Sequence, residues 1–199
     1  MKKRRVGIFG GTFNPPHNGH IASAECFCRQ MDLDELKIIP AFMPPHKVYD
    51  SKVTCEERLE MCRLAFASIE KAEISDIEIK RGGTSYTYLT LQELKKDDTQ
   101  LYLLCGTDMI LSLDKWKNPQ VIFDLAYICY ARRESEPSNS ELLKKKCDEY
   151  RACYGATIYE IDLDVIDVSS SEIRSAEKIA ADNIPASVLN YISERGLYK

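Results

Sequence analysis

One stretch constrains this chain more than any other: Gly7-Ile8-Phe9-Gly10-Gly11-Thr12-Phe13-Asn14-Pro15-Pro16-His17-Asn18-Gly19-His20. An apolar run, Val6 to Phe9, ends in paired glycines. A hydroxyl, an aromatic ring, two prolines and two histidines follow, and the pattern then turns helical through Ile21, Ala22, Ala24 and Phe27. This predicts a strand, a tight turn and a helix N-terminus. Glycine brings the backbone close to an anion with no Cβ in the way. A helix N-terminus adds open N–H groups and the positive end of the dipole. His17 and His20, three residues apart, share one side of a helical turn and can face the same phosphate. A metal site joining them to His46, the third histidine of the chain, is the weaker alternative. Imidazoles beside a phosphate-sized loop serve better as donors, so no metal ligand is assigned.

Beyond this stretch, apolar runs alternate with amphipathic ones. Strands are predicted over Arg5–Gly10, Leu36–Pro40, Ala72–Lys80, Leu101–Gly106, Ala126–Ala131 and Ala156–Leu163. Helices are predicted over Gly19–Met31, Cys55–Ser68, Ser85–Lys96, Pro119–Phe123, Ser140–Cys153, Ser170–Ala180 and Pro185–Glu194. The alternation predicts an α/β fold: a Rossmann-like, doubly wound, mostly parallel sheet with helices on both faces. Leu101–Cys105 is nearly all apolar, as a strand buried on both faces should be. Ligands in such sheets bind beyond the carboxyl ends of the strands, where Gly10 and Gly106 both fall. A chain of 199 residues reads as a single domain over 1–199, with the helices from about 169 onward packed on the sheet. Arg133–Ser140 is the candidate mobile loop.

Composition enters mainly by exclusion. A net charge of −4 and a pI near 5.5 argue against a partner held by general phosphate neutralisation, so no nucleic acid is expected. No apolar run approaches a membrane span, and Met1–Arg5 is basic without the apolar core of a signal peptide. Eight cysteines show no CxxC pair. Cys105 and Cys129 sit in apolar strands, where thiols act as small hydrophobes. A reduced, cytoplasmic setting is therefore expected. The sequence leaves self-association into a homo-oligomer open.

Four further segments carry chemistry. Pro44 and Pro45 stiffen a loop that either presents Lys47 to an anion or is a plain surface turn. Thr84 or Ser85, before Tyr86 and Thr87, reads as a cap on a core helix or as a ligand-facing helix start. Asp108, in Gly106-Thr107-Asp108-Met109 after the buried strand, can accept paired hydrogen bonds from a ribose diol. Ser169, Ser170 and Ser171 cap a helix with Arg174 one turn in, which is an anion clamp or a serine cap beside a solvated arginine. Trp116 is the only tryptophan.

Together these segments resemble the HxGH nucleotidyltransferase superfamily, and within it the nicotinate mononucleotide branch. Thr12, Phe13, Asn14, Pro15, His17, Gly19 and His20 match the T/S-F-D/N-P-x-H-x-G-H segment. Pro44-Pro45-His46-Lys47 matches a P-P-H-K/R segment. Ser85-Tyr86-Thr87 with Thr90-Leu91 matches S-Y-T-x-x-T-L, and Ser169–Arg174 matches I/V-S-S-T/S-x-I-R. The similarity runs in matching order from about Val6 to Tyr198. It implies adenylyl transfer from ATP, carried with Mg²⁺, to nicotinate mononucleotide, with His17 and His20 catalytic. It further implies ATP binding by Gly10, Gly11, Thr12, Phe13, Gly19, Asp108, Ser170, Ser171 and Arg174. Lys47, Thr84, Ser85, Tyr86, Thr87 and Trp116 would hold the mononucleotide, with the indole stacked on the nicotinate ring. Where the branch often has Tyr after this Trp, Lys117 stands here. Rival readings are a pantetheine-phosphate adenylyltransferase or cytidylyltransferase of the same fold, a nucleotide-binding regulator without catalysis, and a cysteine-based redox or metal protein.

Overall fold

A computed structural model describes residues 2–45, 52–131, 140–162, 170, 173 and 181–198. Six strands form one sheet: β1 (Arg4–Gly11), β2 (Glu35–Pro40), β3 (Ala72–Ile74), β4 (Thr99–Gly106), β5 (Ala126–Ala131) and β6 (Ile158–Ile161). Their spatial order is β3-β2-β1-β4-β5-β6, and every neighbouring pair is parallel. The order reverses between β1 and β4, so the crevice beyond their carboxyl ends is where such a sheet takes ligand.

The helices are α1 (Asn18–Gln30), α2 (Cys55–Ala65), α3 (Ile77–Arg81), α4 (Thr87–Leu94), α5 (Thr107–Ile110), α6 (Pro119–Leu125), α7 (Ser140–Tyr154) and α8 (Ala186–Arg195). They cover both faces because the strands are apolar on both sides. On one face Phe27 of α1, Met61 and Cys62 of α2, and Val188 and Ile192 of α8 meet Tyr102 and Leu104 of β4. On the other, Leu91 of α4, Ile122 of α6 and Tyr150 of α7 meet Val6, Ile8 and Leu103. Gly7 shows how closely the first layer packs: a Cβ there would stand 2.4 Å from Leu33 Cδ1 and 2.9 Å from Phe27 Cε1.

Local chemistry sets the helix ends. The Thr54 hydroxyl accepts from Glu57 N at 3.1 Å while the Glu57 carboxylate accepts from Thr54 N at 2.8 Å, closing a capping box on α2. Pro119 opens α6 where no N–H is needed, and Gly196 closes α8 in the left-handed region. In α2 the buried stripe Arg58, Met61, Cys62 and Ala65 follows the helical period, with a charged residue at its head.

The expected strand Ala72–Lys80 is where structure and sequence part. Pairing with β2 stops at Ile74, and the chain turns into α3 at Ile77. The alternation Ile77-Glu78-Ile79-Lys80 imitates a strand. Lys80, however, pairs with Asp76 one turn back at 3.1 Å, and Gly82 and Gly83, both at φ 68°, end the helix. All eight cysteines are free thiols. Burial pushes the thiols of Cys62 and Cys105 well above their ordinary range, so they serve as packing atoms. No helix among the described residues is long and apolar enough to cross a membrane.

Candidate active site

The β1 turn, the segment after β2, and α3 to α6 enclose a cavity of about 370 Å³ at the switch point. Gly10, Gly11 and Thr12 line it, as does Asp108. A Cβ on Gly10 would meet no atom within 4 Å and would stand in the cavity itself, so the missing side chain is space kept for a ligand. Gly106, before α5, is closed differently: a Cβ there would lie 2.8 Å from Asp108 Oδ1. The glycine thus lets the Asp108 carboxylate fold back over the strand end.

Arg58 holds this lining in place. It is fully buried, and its Nη1 donates to the Thr12 carbonyl at 2.8 Å while Nη2 donates to the Ala41 carbonyl at 2.6 Å. One guanidinium therefore ties the exit of β1 to the exit of β2. Sequence reasoning overlooked Arg58, although a basic residue at the head of the α2 apolar stripe is the signal that marks it.

His17 and His20 open α1. His17 is its N-cap in extended conformation, and the two rings lie 3.6 Å apart between centroids. His20 Nδ1 accepts the His17 backbone N–H at 3.2 Å, which leaves the ring proton on Nε2, the atom pointing away from the helix start. Phe13, at φ 48°, buries its ring against Phe9, Phe66 and His20 rather than lining the cavity. Neither histidine lines the cavity; both stand beside it, next to the Thr12–Phe13 turn, and Gly19 lies between them in the first turn of α1.

The turn is latched from the C-terminal side. Ser170 Oγ donates to the Pro15 carbonyl at 2.9 Å, Asn18 Nδ2 to the Asp182 carbonyl at 3.0 Å, and the Tyr198 hydroxyl to Asn14 Oδ1. Lys47, Ser171 and Arg174 lie outside the described residues, as does His46.

Trp116, Lys117, Ser85, Tyr86 and Thr87 line the same cavity. Neither Thr84 nor Ser85 caps α4. Ser85 Oγ accepts from Phe42 N at 2.9 Å and Met43 N at 3.3 Å, pinning the segment after β2, and Tyr86 becomes the N-cap of α4. Thr84 bridges to Met43 in the same seam. One turn into α4, Thr90 Oγ1 donates to Glu78 Oε1 at 2.6 Å, and Arg81 donates to Thr90 Oγ1 at 2.9 Å. Glu78 and Thr90 both line the cavity. Glu78 left no trace in the sequence because α3 reads as strand.

Trp116 is held by its own platform. The Tyr150 hydroxyl lies 2.7 Å from the Ile110 carbonyl and 3.0 Å from Asp114 Oδ1, and Lys146 Nζ is 3.1 Å from Asp114 Oδ2. Burial works against the Asp114 carboxylate, but the bonds from Lys146 and Tyr150 outweigh it and hold Asp114 below its ordinary range. Burial, reinforced by the Asp114 carboxylate, pushes Tyr150 up to about 12.

Comparison with known proteins gives this arrangement a family. Residues 8–176 match the cytidylyltransferase-like family model. A protein of Geotalea daltonii named "Probable nicotinate-nucleotide adenylyltransferase" is 37% identical, with 98% of each chain covered. One of the same name from Clostridium tetani is 35% identical over 100% of both chains. Among solved structures, the nicotinic acid mononucleotide adenylyltransferase of Plasmodium falciparum complexed with NaAD superposes with a TM-score of 0.77. It is 19% identical, covering 98% of this chain and 97% of that one. At that identity the superposition speaks for the fold, while the full-length relatives speak for the branch. The chain therefore belongs to the cytidylyltransferase-like family, among its nicotinate-nucleotide adenylyltransferases.

Proposed function

We propose that this protein transfers the adenylyl group of ATP to nicotinate mononucleotide, giving nicotinate adenine dinucleotide and pyrophosphate, a step of NAD biosynthesis. The observation that carries the reading is one cavity lined both by Gly10, Gly11, Thr12 and Asp108 and by Trp116 and the α4 helix start. A dinucleotide product needs both sets of groups in one place. The Plasmodium falciparum relative was solved both with NaAD and with APC, which supports carrying the two halves of that ligand to this chain. The reading places the protein in the cytoplasm, acting on small molecules with neither nucleic acid nor membrane as partner.

In this mechanism the 5′-phosphate oxygen of the mononucleotide attacks the α-phosphorus of ATP in line, and pyrophosphate leaves. The nucleophile is already anionic, so the protein supplies position and charge stabilisation rather than a strong base. His20 donates from Nε2 to an ATP phosphate oxygen, its tautomer set by the His17 N–H on Nδ1. His17 is the second donor. Gly10, Gly11, Thr12, Phe13 and Gly19 shape the phosphate turn, and Asp108 takes ribose hydroxyls. Ser170, Ser171 and Arg174 hold the β- and γ-phosphates. Lys47 serves the mononucleotide. Thr84, Ser85, Tyr86 and Thr87 receive the ring carboxylate, and Trp116 stacks on the ring. No group of three or more His, Cys, Asp or Glu able to hold a metal occurs among the described residues. Mg²⁺ would arrive as MgATP, held by phosphate oxygens and water, and would offset charge on the leaving pyrophosphate.

The test is kcat/KM for nicotinate and nicotinamide mononucleotides side by side. A helix start built of donors leaves one unpaired against the amide NH₂, so nicotinate should be favoured by roughly tenfold to a hundredfold. Equal values, or a preference for the amide, would sink the assignment of the ring-binding groups. Absence of transfer to either would sink the whole reading.

A further inference from the structure

The Glu78–Thr90 pair in the cavity wall has no role in the mechanism above. We infer that Glu78 is a specificity residue: its carboxylate is the counter-charge for the cationic pyridinium ring, so the site selects quaternised pyridine nucleotides over neutral-ring ones. This rests on the reading that the cavity takes a pyridine mononucleotide.

The observations are these. The Glu78 side chain is 9% exposed, and the residue lines the cavity. Oε1 is taken by Thr90 Oγ1 at 2.6 Å, with Arg81 Nη2 at 3.9 Å. Oε2 has no hydrogen-bond partner among the described residues and is not sealed from the cavity. Arg81 spends its closer contacts elsewhere, on Glu93 at 2.8 Å and on Thr90 at 2.9 Å. A carboxylate oxygen left open in a largely buried network marks a place where a ligand supplies the missing partner.

Charge layout says which partner. Thr87 begins α4, and Thr90 stands one turn further in on the same face, about 4.5 Å along the axis. The positive helix start and the Glu78 carboxylate are thus offset along one wall. A pyridinium carboxylate has the matching dipole, a negative substituent and a positive ring. Trp116 forms another wall of the same cavity, and the face of an indole also favours a cation. The apolar lining from Ile39 and Ala41 strengthens both attractions by excluding water.

Nicotinamide mononucleotide and its 1,4-dihydro form differ in ring charge, and pyrophosphate release reads transfer to each. The parent enzyme should favour the cationic ring by about tenfold or more, as expected for a charge contact. Glu78→Gln keeps the acceptor for Thr90 and should lose most of that preference, with the KM for ATP unchanged. Glu78→Asp, which keeps the charge, should retain it. Thr90→Val, which releases Glu78 from its anchor, should erode it and serves if the Gln variant does not fold. An identical preference in parent and Glu78→Gln overturns the inference and leaves Glu78 a wall strut. A parent that adenylylates both ring forms alike also overturns it while the proposed function stands. A parent that adenylylates no pyridine mononucleotide fails both.

Discussion

A single atom decides much at the turn after β1. Gly10 and Gly7 are three residues apart on one strand, yet a methyl group has opposite consequences at the two. Gly10→Ala puts the methyl into open cavity, so thermal stability should stay near the parent value while adenylyl transfer collapses. Gly7→Ala drives it into Leu33 and Phe27, and overpacking of this kind costs about 1–3 kcal/mol. Thermal melts with parallel rate measurements distinguish the two; equal loss of stability would refute the cavity position assigned to Gly10. For His20, loss of one preorganised donor costs about 10²–10³ in rate. His20→Ala should therefore lower kcat far more than it raises the KM for ATP, and an unchanged kcat removes His20 from the chemistry. The glycines and histidines were legible in the sequence because backbone access and helical spacing are local properties. Arg58 and Glu78 were not, since their roles depend on partners outside their own helices: the Thr12 and Ala41 carbonyls for one, the Thr90 hydroxyl for the other.

Elements set where the ring-binding groups sit. The segment carrying Trp116 has little regular structure, only a 3-10 turn over Leu113–Lys115, and α7 braces it through Tyr150 and Lys146. Tyr150→Phe keeps the ring packing and removes the hydroxyl that serves Ile110 and Asp114. Stability should fall by about 1–2 kcal/mol. The KM for the mononucleotide should rise while that for ATP holds, and the fluorescence of the only tryptophan should report the loosened turn. A uniform change in both KM values would mean that the brace is general. Strands buried on both faces, such as β4, were plain from their apolar runs. The stretch from Ile77 to Lys80 was not, because an alternating Ile-Glu-Ile-Lys run fits both periods. Only the ion pair to Asp76 and the two glycines decide for helix. The Ser85 seam was read as either a cap or a ligand-facing helix start, because its partners, Phe42 and Met43, are remote in sequence.

For the molecule as a whole, titrating groups bound a stability window. Burial raises Tyr102, Tyr130 and Tyr150, the last to about 12, against an unfolded value of 10.0. Raised groups contribute stability that is complete below the unfolded value and is lost as pH rises through the folded one. Melting temperature should therefore drop between about pH 10 and 12, and Tyr150→Phe should blunt the drop. Asp114 and Glu35 act at the other limit. Burial opposes their charge, but bonds from Lys146 and Lys37 outweigh it and lower both. Their contribution is complete above the unfolded values of 3.8 and 4.5 and disappears as pH falls through the lowered ones. A melting temperature flat from pH 3 to 12 would contradict both limits. The parallel sheet was foreseeable from strand–helix alternation, whereas its order β3-β2-β1-β4-β5-β6 was not read from the sequence. How the C-terminal segment meets the turn after β1 was not, because nothing local in Tyr198 points to Asn14. That one hydrogen bond has a consequence in time. During synthesis Asn14 leaves the ribosome long before Tyr198 is made, and β1 must also wait for β4 before its second edge is paired. The nascent chain therefore carries its phosphate turn without this bond until residue 198 has been added and has emerged. Release of active enzyme from stalled ribosomes, followed as the stall point is moved past residue 198, would show activity arriving in one late step.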